Sequence, residues 1–298
     1  MSQGLRLGEI ARQLHRHKST ISRELARNRN SGCLYRADRA HQRAARRRKP
    51  RPMKVLLNEQ LRSYIVEGLQ RGLSPEQIAN RHRLESGTRQ LSTRTLYRAA
   101  AQLIGQLPPS PLRRWPLPRR KRSKKSLIIG RVGIEQRPPE ATERKHVGHW
   151  EGDCVCVGPG RPAIAVFADR ASRFYIGAKI PATDRSAPTV AGICLSALKP
   201  LRKRQRKTVT FDNGLEFAGF ALLEKKMQRL KVYFAQPHSP WQRPTVENTN
   251  GLLRQYLPKG TQLYEITQKQ LDLYIDAINN RPRKCLNWRT PAEVFSSS

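Results

Sequence analysis

Acidic side chains are scarce in this chain: 22 Asp+Glu stand against 58 Lys+Arg in 298 residues, a formal charge of +36. Such an excess pushes a compact state apart unless a polyanion neutralises it. Nucleic acid is the obvious polyanion, and a membrane surface is the rival. Long apolar runs are also missing. None approaches 18 residues, so no spanning helix is expected, and Met1 to Arg6 lack the apolar core of a signal peptide. Cysteine is sparse and odd in number (Cys33, Cys154, Cys156, Cys194, Cys285), without framework spacing. That argues against a disulfide scaffold and suits a reducing cytoplasm. His146, His149, Cys154 and Cys156 invite a zinc reading, but strand alternation puts both cysteines opposite Asp153, and small buried residues of a core strand fit better. A ribosomal or structural nucleic-acid protein shares such a charge, so charge alone names no activity.

The positive charge is uneven. Residues 1–137 hold 33 Lys+Arg against 8 Asp+Glu, which makes this part the expected DNA reader. Leu7, Ile10, Ala11 and Leu14 fall on one helical face. His15 to Lys18 supply a turn, and Ser19 or Thr20 caps a second helix through Asn28, with Ile21 and Leu25 inward. Ser19, Thr20, Ser22, Arg23 and Arg27 are types that contact phosphates and base edges. This is a helix-turn-helix pattern. Ser74-Pro75-Glu76-Gln77 marks another helix start, with Ser74 as cap and Gln77 closing a capping box. Ser92 to Arg98 then resembles a second recognition helix, in which Arg94 and Arg98 are the candidate DNA contacts. The expected division is a first helix-turn-helix over 1–45, then a basic linker (Arg46 to Pro52) and a second helix-turn-helix over 46–107. A Pro/basic hinge over 108–144 follows.

From about residue 145 the pattern becomes mixed. Strands are predicted at 149–157, 162–168, 173–180, 207–212 and 231–235, and helices at 187–199, 217–229, 245–256 and 267–280. Three consecutive strands, then strands separated by helices, imply a mixed five-stranded sheet with helices on both faces. The order is that of an α/β ribonuclease-H-like domain, here spanning 145–298.

Three acidic residues stand out in that domain. Asp153 lies in an apolar strand-like run and shares a face with Glu151, Val155 and Val157. An unpaired charge buried there is costly, and coordination of a cation relieves the cost. Asp212 ends a strand just before Asn213-Gly214, where ligands of such sheets gather, although Asp-Asn-Gly alone reads as a turn. Glu247 opens a helix, with Arg254 two turns on along the same face and Asn250 and Gly251 between them. Three carboxylates converging from two strands and a helix can hold two divalent ions, the arrangement that in-line attack on a phosphodiester needs. Asp169, Glu216, Glu151 and His238 rank lower, and Trp241 is as compatible with a core as with a DNA contact.

The runs His149-Trp150-Glu151-Gly152-Asp153, Phe211 to Ala218, Pro240-Trp241-Gln242-Arg243 and Glu247 to Tyr256 together resemble a bacterial insertion-sequence transposase of the IS-thirty family. Asn279 to Lys284 and Arg289 to Phe295 continue the likeness to the C-terminus. The resemblance implies a retroviral-integrase-like core with a DDE site of Asp153, Asp212 and Glu247 binding two Mg²⁺, with Mn²⁺ as an alternative. It implies metal-dependent strand cleavage and strand transfer on double-stranded DNA, with helix-turn-helix units reading the terminal inverted repeats. A homo-oligomer on DNA, a bacterial cytoplasmic, nucleoid-associated location and no small-molecule substrate go with it. Members usually carry another helix ahead of the first helix-turn-helix, where only Met1 to Arg6 stand here, so the expectation is either an N-terminally truncated first unit or a start assigned late. Arg254 is expected to grip a DNA phosphate, with pairing to Glu216 as its rival role. The competing functions are a DNA-binding regulator with an inert core and a ribonuclease-H-type nuclease. The first has no need of all three carboxylates. The second does not account for the helix-turn-helix units.

Overall fold

A computed structural model describes residues 5–28, 35–48, 53–88, 91–103, 128–156, 163–258 and 260–298. The chain divides into two compact units, Met1–Arg62 and Ser63–Ser298. In the first, the expected helix pair forms as α1 (Leu7–Gln13) and α2 (Lys18–Asn28). Ala11 is buried, but Leu14, predicted to face inward, is 58% exposed, because α1 stops at Gln13 and Leu14 turns away with the loop. The second helix begins at Lys18, ahead of the predicted cap, so Ser19 and Thr20 lie in its first turn. Ser19 Oγ meets the His17 ring at 2.8 Å rather than capping the helix. Thr20, Ser22, Arg23 and Arg27 are exposed, and Ser19 is half-buried.

A third helix, α3 (Ala37–Arg48), takes in Arg46 and Arg47, which the charge run had placed in a linker. The correction has an electrostatic cause. Arg43 donates to the Asn28 carbonyl and Arg47 to the Asn28 Oδ1, both at 2.9 Å. Cations at the carbonyl end of a helix are favourable, so α2 gives these arginines a reason to order. The remainder of the basic run, 49–52, lies outside the described residues. A short α4 (Lys54–Leu57) follows.

Helix α5 (Glu59–Gln70) leads into the second unit. Helix α6 (Pro75–Ser86) starts as the sequence predicts: Ser74 Oγ accepts from Gln77 N at 3.2 Å, and Gln77 Oε1 accepts from Ser74 N at 2.9 Å. It packs on α7 (Thr93–Leu103), which buries Leu96, Ala99 and Leu103 and exposes Arg94 and Arg98. Polar contacts tie α6 and the turn before it to the C-terminal segment. Gln77 Nε2 donates to the Pro282 carbonyl at 2.8 Å, Arg281 to the Gly72 carbonyl at 2.7 Å, and Arg81 forks onto Glu293 at 2.6 and 2.8 Å.

The Pro/basic stretch up to residue 127 lies outside the described residues. Residues 128–144, predicted to belong to the hinge, are packed instead. Ile128 is in the core, Gly133 bridges to Phe234, and α8 (Pro139–Glu143) forms a cap before the sheet. The free edge of the last strand explains this, since Phe234 N needs an acceptor and finds the Val132 carbonyl at 2.8 Å.

The sheet contains β1 (His149–Cys156), β2 (Ala163–Asp169), β3 (Tyr175–Ile180), β4 (Thr208–Phe211) and β5 (Lys231–Phe234) in the order β3-β2-β1-β4-β5. Pairing is antiparallel through β3-β2-β1 and parallel through β1-β4-β5. Helices α9 (Ala187–Leu198) and α10 (Phe220–Lys226) cover one face over Trp150, Phe167, Phe211 and Phe234. On the other face, α11 (Pro244–Tyr256) and α12 (Gln268–Asn279) cover Val155, Ile164, Val166 and Tyr175. The two-residue period of β1 therefore turns Glu151, Asp153 and Val155 toward α11. A final α13 (Pro291–Ser296) seats Phe295 against Trp150 and Phe174. This is the predicted ribonuclease-H-like sheet. One helix differs: 217–229 is a tight turn at Leu215–Phe217 followed by the shorter α10. Phe217 stacks on Phe211 at 4.1 Å between ring centres, which holds the segment against the strand end before a helix starts.

Candidate active site

Two of the three carboxylates are set side by side by strand register. Glu151 on β1 pairs with Thr210 on β4 in parallel. Two residues further along each chain stand Asp153 and Asp212, at the carboxyl ends where such sheets gather ligands. Gly152 makes this closeness possible. A Cβ there would sit 2.3 Å from Phe211 Cε1, so only glycine lets the ring lie against β1. Arg243 then joins the two acids. Its guanidinium is 3.5 Å from Asp153 Oδ1 and 3.4 Å from Asp212 Oδ2, and it donates to the Gly152 carbonyl at 2.8 Å. The arginine is buried, and its Nε has no partner.

Glu247 comes from the first turns of α11, a helix fixed to β1 by polar contacts at three heights. The wholly buried Glu151 carboxylate accepts from Thr245 N at 2.7 Å and Val246 N at 2.9 Å, and a hydrogen bond from Arg170 neutralises it. Asn250 donates to Asp153 Oδ2 at 2.8 Å, and Arg254 donates to the Cys156 carbonyl at 2.7 Å. Burial raises the Asp153 pKa, Arg243 opposes the rise, and Asp212 adds to it. Burial also raises Glu247, against Arg243 and with repulsion from Asp153 and Glu151. The three acids thus share one electrostatic environment centred on Arg243. Among the described residues no group of three His, Cys, Asp or Glu stands close enough to hold an ion as it is. Asp153 and Asp212 are brought together, whereas exposed Glu247 feels Asp153 through charge without touching either aspartate.

The lower-ranked residues are also placed. Asp169 is a buried turn acceptor, taking hydrogen bonds from Ser172 N, Ser172 Oγ and Gly148 N. Glu216 folds back over Gly214 and does not pair with Arg254. Trp241 is 70% exposed and so lies outside the core, and His238 is exposed at a positive φ of 61°. His149 is buried with Nδ1 on Thr208 Oγ1 at 2.9 Å, and Cys154 lines the opposite core. Sequence reasoning missed Arg243. Its signals were its place in the Pro240 to Arg243 run and its position four residues before Glu247, one helical turn away.

Comparison with known proteins adds the following. A family model described as an integrase core domain matches residues 143–240, and one described as a helix-turn-helix domain matches residues 1–28. The transposase for insertion sequence element IS1086 of Cupriavidus metallidurans is 37% identical, over 99% of this chain and 90% of its own length. Transposase InsI for element IS30A of Escherichia coli is also 37% identical, over 99% of this chain and 80% of its own. The transposase for element IS4351 of Bacteroides fragilis is 38% identical over 96% and 88%.

Proposed function

Because the chain belongs to the IS30 family of insertion-sequence transposases, we propose that its polynucleotidyl transfer is carried by Asp153, Asp212 and Glu247. The observation that carries this assignment is the Arg243 bridge, one guanidinium within 3.5 Å of both aspartates. A cation already stands where the two carboxylates converge, and it faces more negative charge than it neutralises. The donor set is oxygen only, which suits a hard divalent ion such as Mg²⁺, with Mn²⁺ as a substitute. Two such ions, when bound, supply Lewis-acid stabilisation of the attacking and leaving oxygens of an in-line displacement.

The chain's own residues do the rest. Glu151 and Arg170 fix the start of α11 and so the height of Glu247. The Asn250 amide fixes the rotation of the Asp153 carboxylate. Arg243 holds the two aspartates together and is itself anchored on the Gly152 carbonyl. Water attacks the phosphodiester at the element's end and frees a 3′-hydroxyl, which then attacks a target phosphodiester at the same site. Each attack breaks one P–O bond as it forms another, so no covalent enzyme intermediate is needed.

Thr20, Ser22, Arg23 and Arg27 on α2, with Ser19 beside them, and Arg94 and Arg98 on α7 are the proposed readers of the terminal inverted repeats. Arg254 sits at the edge of the site, with one amino group on Cys156 and the other unpartnered. Two element ends must meet, which calls for an oligomer on DNA. The test is amide substitution. Asp153→Asn, Asp212→Asn and Glu247→Gln should each abolish Mg²⁺-dependent cleavage while end binding persists. Near-normal cleavage by Asp212→Asn would refute the assignment.

A further inference from the structure

A second basic site lies against the helix that carries Glu247. It is a cavity of about 160 Å³ lined chiefly by Arg144, Arg173, Arg283, Thr245, Asn248 and Thr249. The arginines arrive from three separate places: the approach to β1, the β2–β3 turn and the segment after α12. Among the described residues none of the three forms an ion pair, because the nearby Glu151 is taken by Arg170. Arg173 Nη1 donates to Thr245 Oγ1 at 2.9 Å. The Arg283 guanidinium makes only a long contact to the Ile278 carbonyl, 3.4 Å, and its buried Nε has no partner.

The cluster is electrostatically incomplete. Burial lowers the Arg144 pKa, and Arg173 and Arg170 repel it further. Burial takes Arg283 down to about 10, with repulsion from Arg281 and Arg173 among the causes. All three arginines are half-buried; cations so enclosed are ordinarily paired with an anion, and this cluster has none. An anion would complete it. The cavity exceeds by several-fold the roughly 30 Å³ that one water occupies, so a phosphate group fits, and arginine forks suit phosphate oxygens. Exposed Asn248 and Cys285 leave the rim open to solvent. Asn248 follows Glu247 directly, so the cavity lies against the same turns of the helix that carry Glu247.

We propose that this pocket holds a backbone phosphate of the DNA, one that flanks the reacting phosphodiester. The proposal rests on DNA being the substrate and not on which carboxylates react. It assigns Arg144, Arg173 and Arg283 to positioning the strand.

The test reads binding, so an error in the carboxylate assignment leaves its outcomes unchanged. Full-length Arg144→Gln/Arg173→Gln protein is titrated with an element-end duplex and an unrelated duplex over a range of salt. Affinity should fall about tenfold on both alike, and the slope of log K against log salt should shrink by about one. Neutral methylphosphonates are then placed singly along the strand. At one position the wild type should lose affinity while the variant loses none. In parallel, phenylglyoxal labelling of wild-type protein, which needs no variant to fold, should show Arg144 and Arg173 protected by DNA. Equal labelling with and without DNA overturns the proposal, as does an unchanged salt slope in a variant that melts like the wild type. If inorganic phosphate raises the melting temperature while no methylphosphonate position couples to the arginines, the site is one for free anions and the DNA assignment fails.

Discussion

Replacing Glu151 by Gln tests whether the Glu247 helix is held in place by a buried charge. Glu151 has no exposed surface, and its two oxygens serve different partners: one takes Arg170, the other takes Thr245 N and Val246 N. Gln has nearly the same shape and keeps one acceptor for the α11 amides. It then turns an NH₂ group toward the equally buried Arg170. Breaking a buried ion pair from one side costs about 3–5 kcal/mol, because the surviving charge is left uncompensated. That is a large share of the 5–15 kcal/mol typical of a folded domain. Removing both charges with Glu151→Gln/Arg170→Met should recover most of the loss, leaving roughly 1 kcal/mol for weakened bonding at the helix start. The assay is urea unfolding of the four proteins of the cycle, read as midpoint shifts at constant slope. A coupling of at least about 2 kcal/mol is expected between the two sites. Strand cleavage by Glu151→Gln should fall more than end binding, since Glu247 loses its anchor. The reasoning fails if Glu151→Gln unfolds within about 1 kcal/mol of wild type, or if Arg170→Met adds its full cost to it.

Gly152→Ala should destabilise by about 1–3 kcal/mol through overpacking against Phe211, and cleavage should fall further because Asp212 directly follows that ring. Unfolding midpoints and cleavage rates measured together check this, and unchanged values would mean that β1 and β4 are not packed ring against backbone. Acid should also weaken the fold in a defined window. His149 is held near 4, below its ordinary 6.5, chiefly by burial and then by Lys207, so the unfolded chain takes up its proton first. The neutral His149 therefore supports the fold fully above about pH 6.5, and that support is lost as pH falls toward 4, by on the order of 3 kcal/mol. Glu293, held at about 2 mainly by its hydrogen bond from Arg81, adds a second loss as pH falls below its ordinary 4.5. Melting temperature against pH should show the first loss vanish in His149→Gln, and persistence of that step would reassign it.

Much of this site is legible in residue order, because strands and caps declare themselves locally. The alternation of β1 fixes which face Asp153 shares with Glu151, and Ser74 to Gln77 specify a helix start completely. Pairwise partners across long separations do not declare themselves. Nothing around Arg243 says that its guanidinium will stand between two aspartates, one of them 90 positions earlier, since that follows from the parallel pairing of β1 with β4. Glu151 looks like a companion of Asp153 until α11 is laid over it. Arg46 and Arg47 read as linker because charge repulsion is visible in sequence, whereas the Asn28 carbonyl end that orders their helix is not. Gly133 reads as hinge for the same reason: the strand edge that recruits it lies about 100 residues downstream.

The contacts between β1 and α11 explain why so much polarity is buried here. An apolar helix face can slide on an apolar sheet at little cost, because the hydrophobic effect has no direction. A nuclease-like site cannot tolerate sliding, since misplacing a reacting group by about 1 Å can cost on the order of a hundredfold in rate. Along β1, residues 151, 153 and 156 span roughly 16 Å at the usual strand rise. Their partners on α11, residues 245, 250 and 254, span roughly 14 Å at the helical rise. The two lengths match closely enough for a ladder of directional bonds, Glu151 to Thr245 and Val246, Asp153 to Asn250, and Cys156 to Arg254. Val155, Val246, Leu252 and Leu253 supply the cohesion beneath it. Shifting α11 by one turn would break every rung and strand Glu151 without its amides. Glu247 therefore owes its position to rungs on either side of it rather than to any side-chain contact of its own, which suits the metal-ligand role proposed for it.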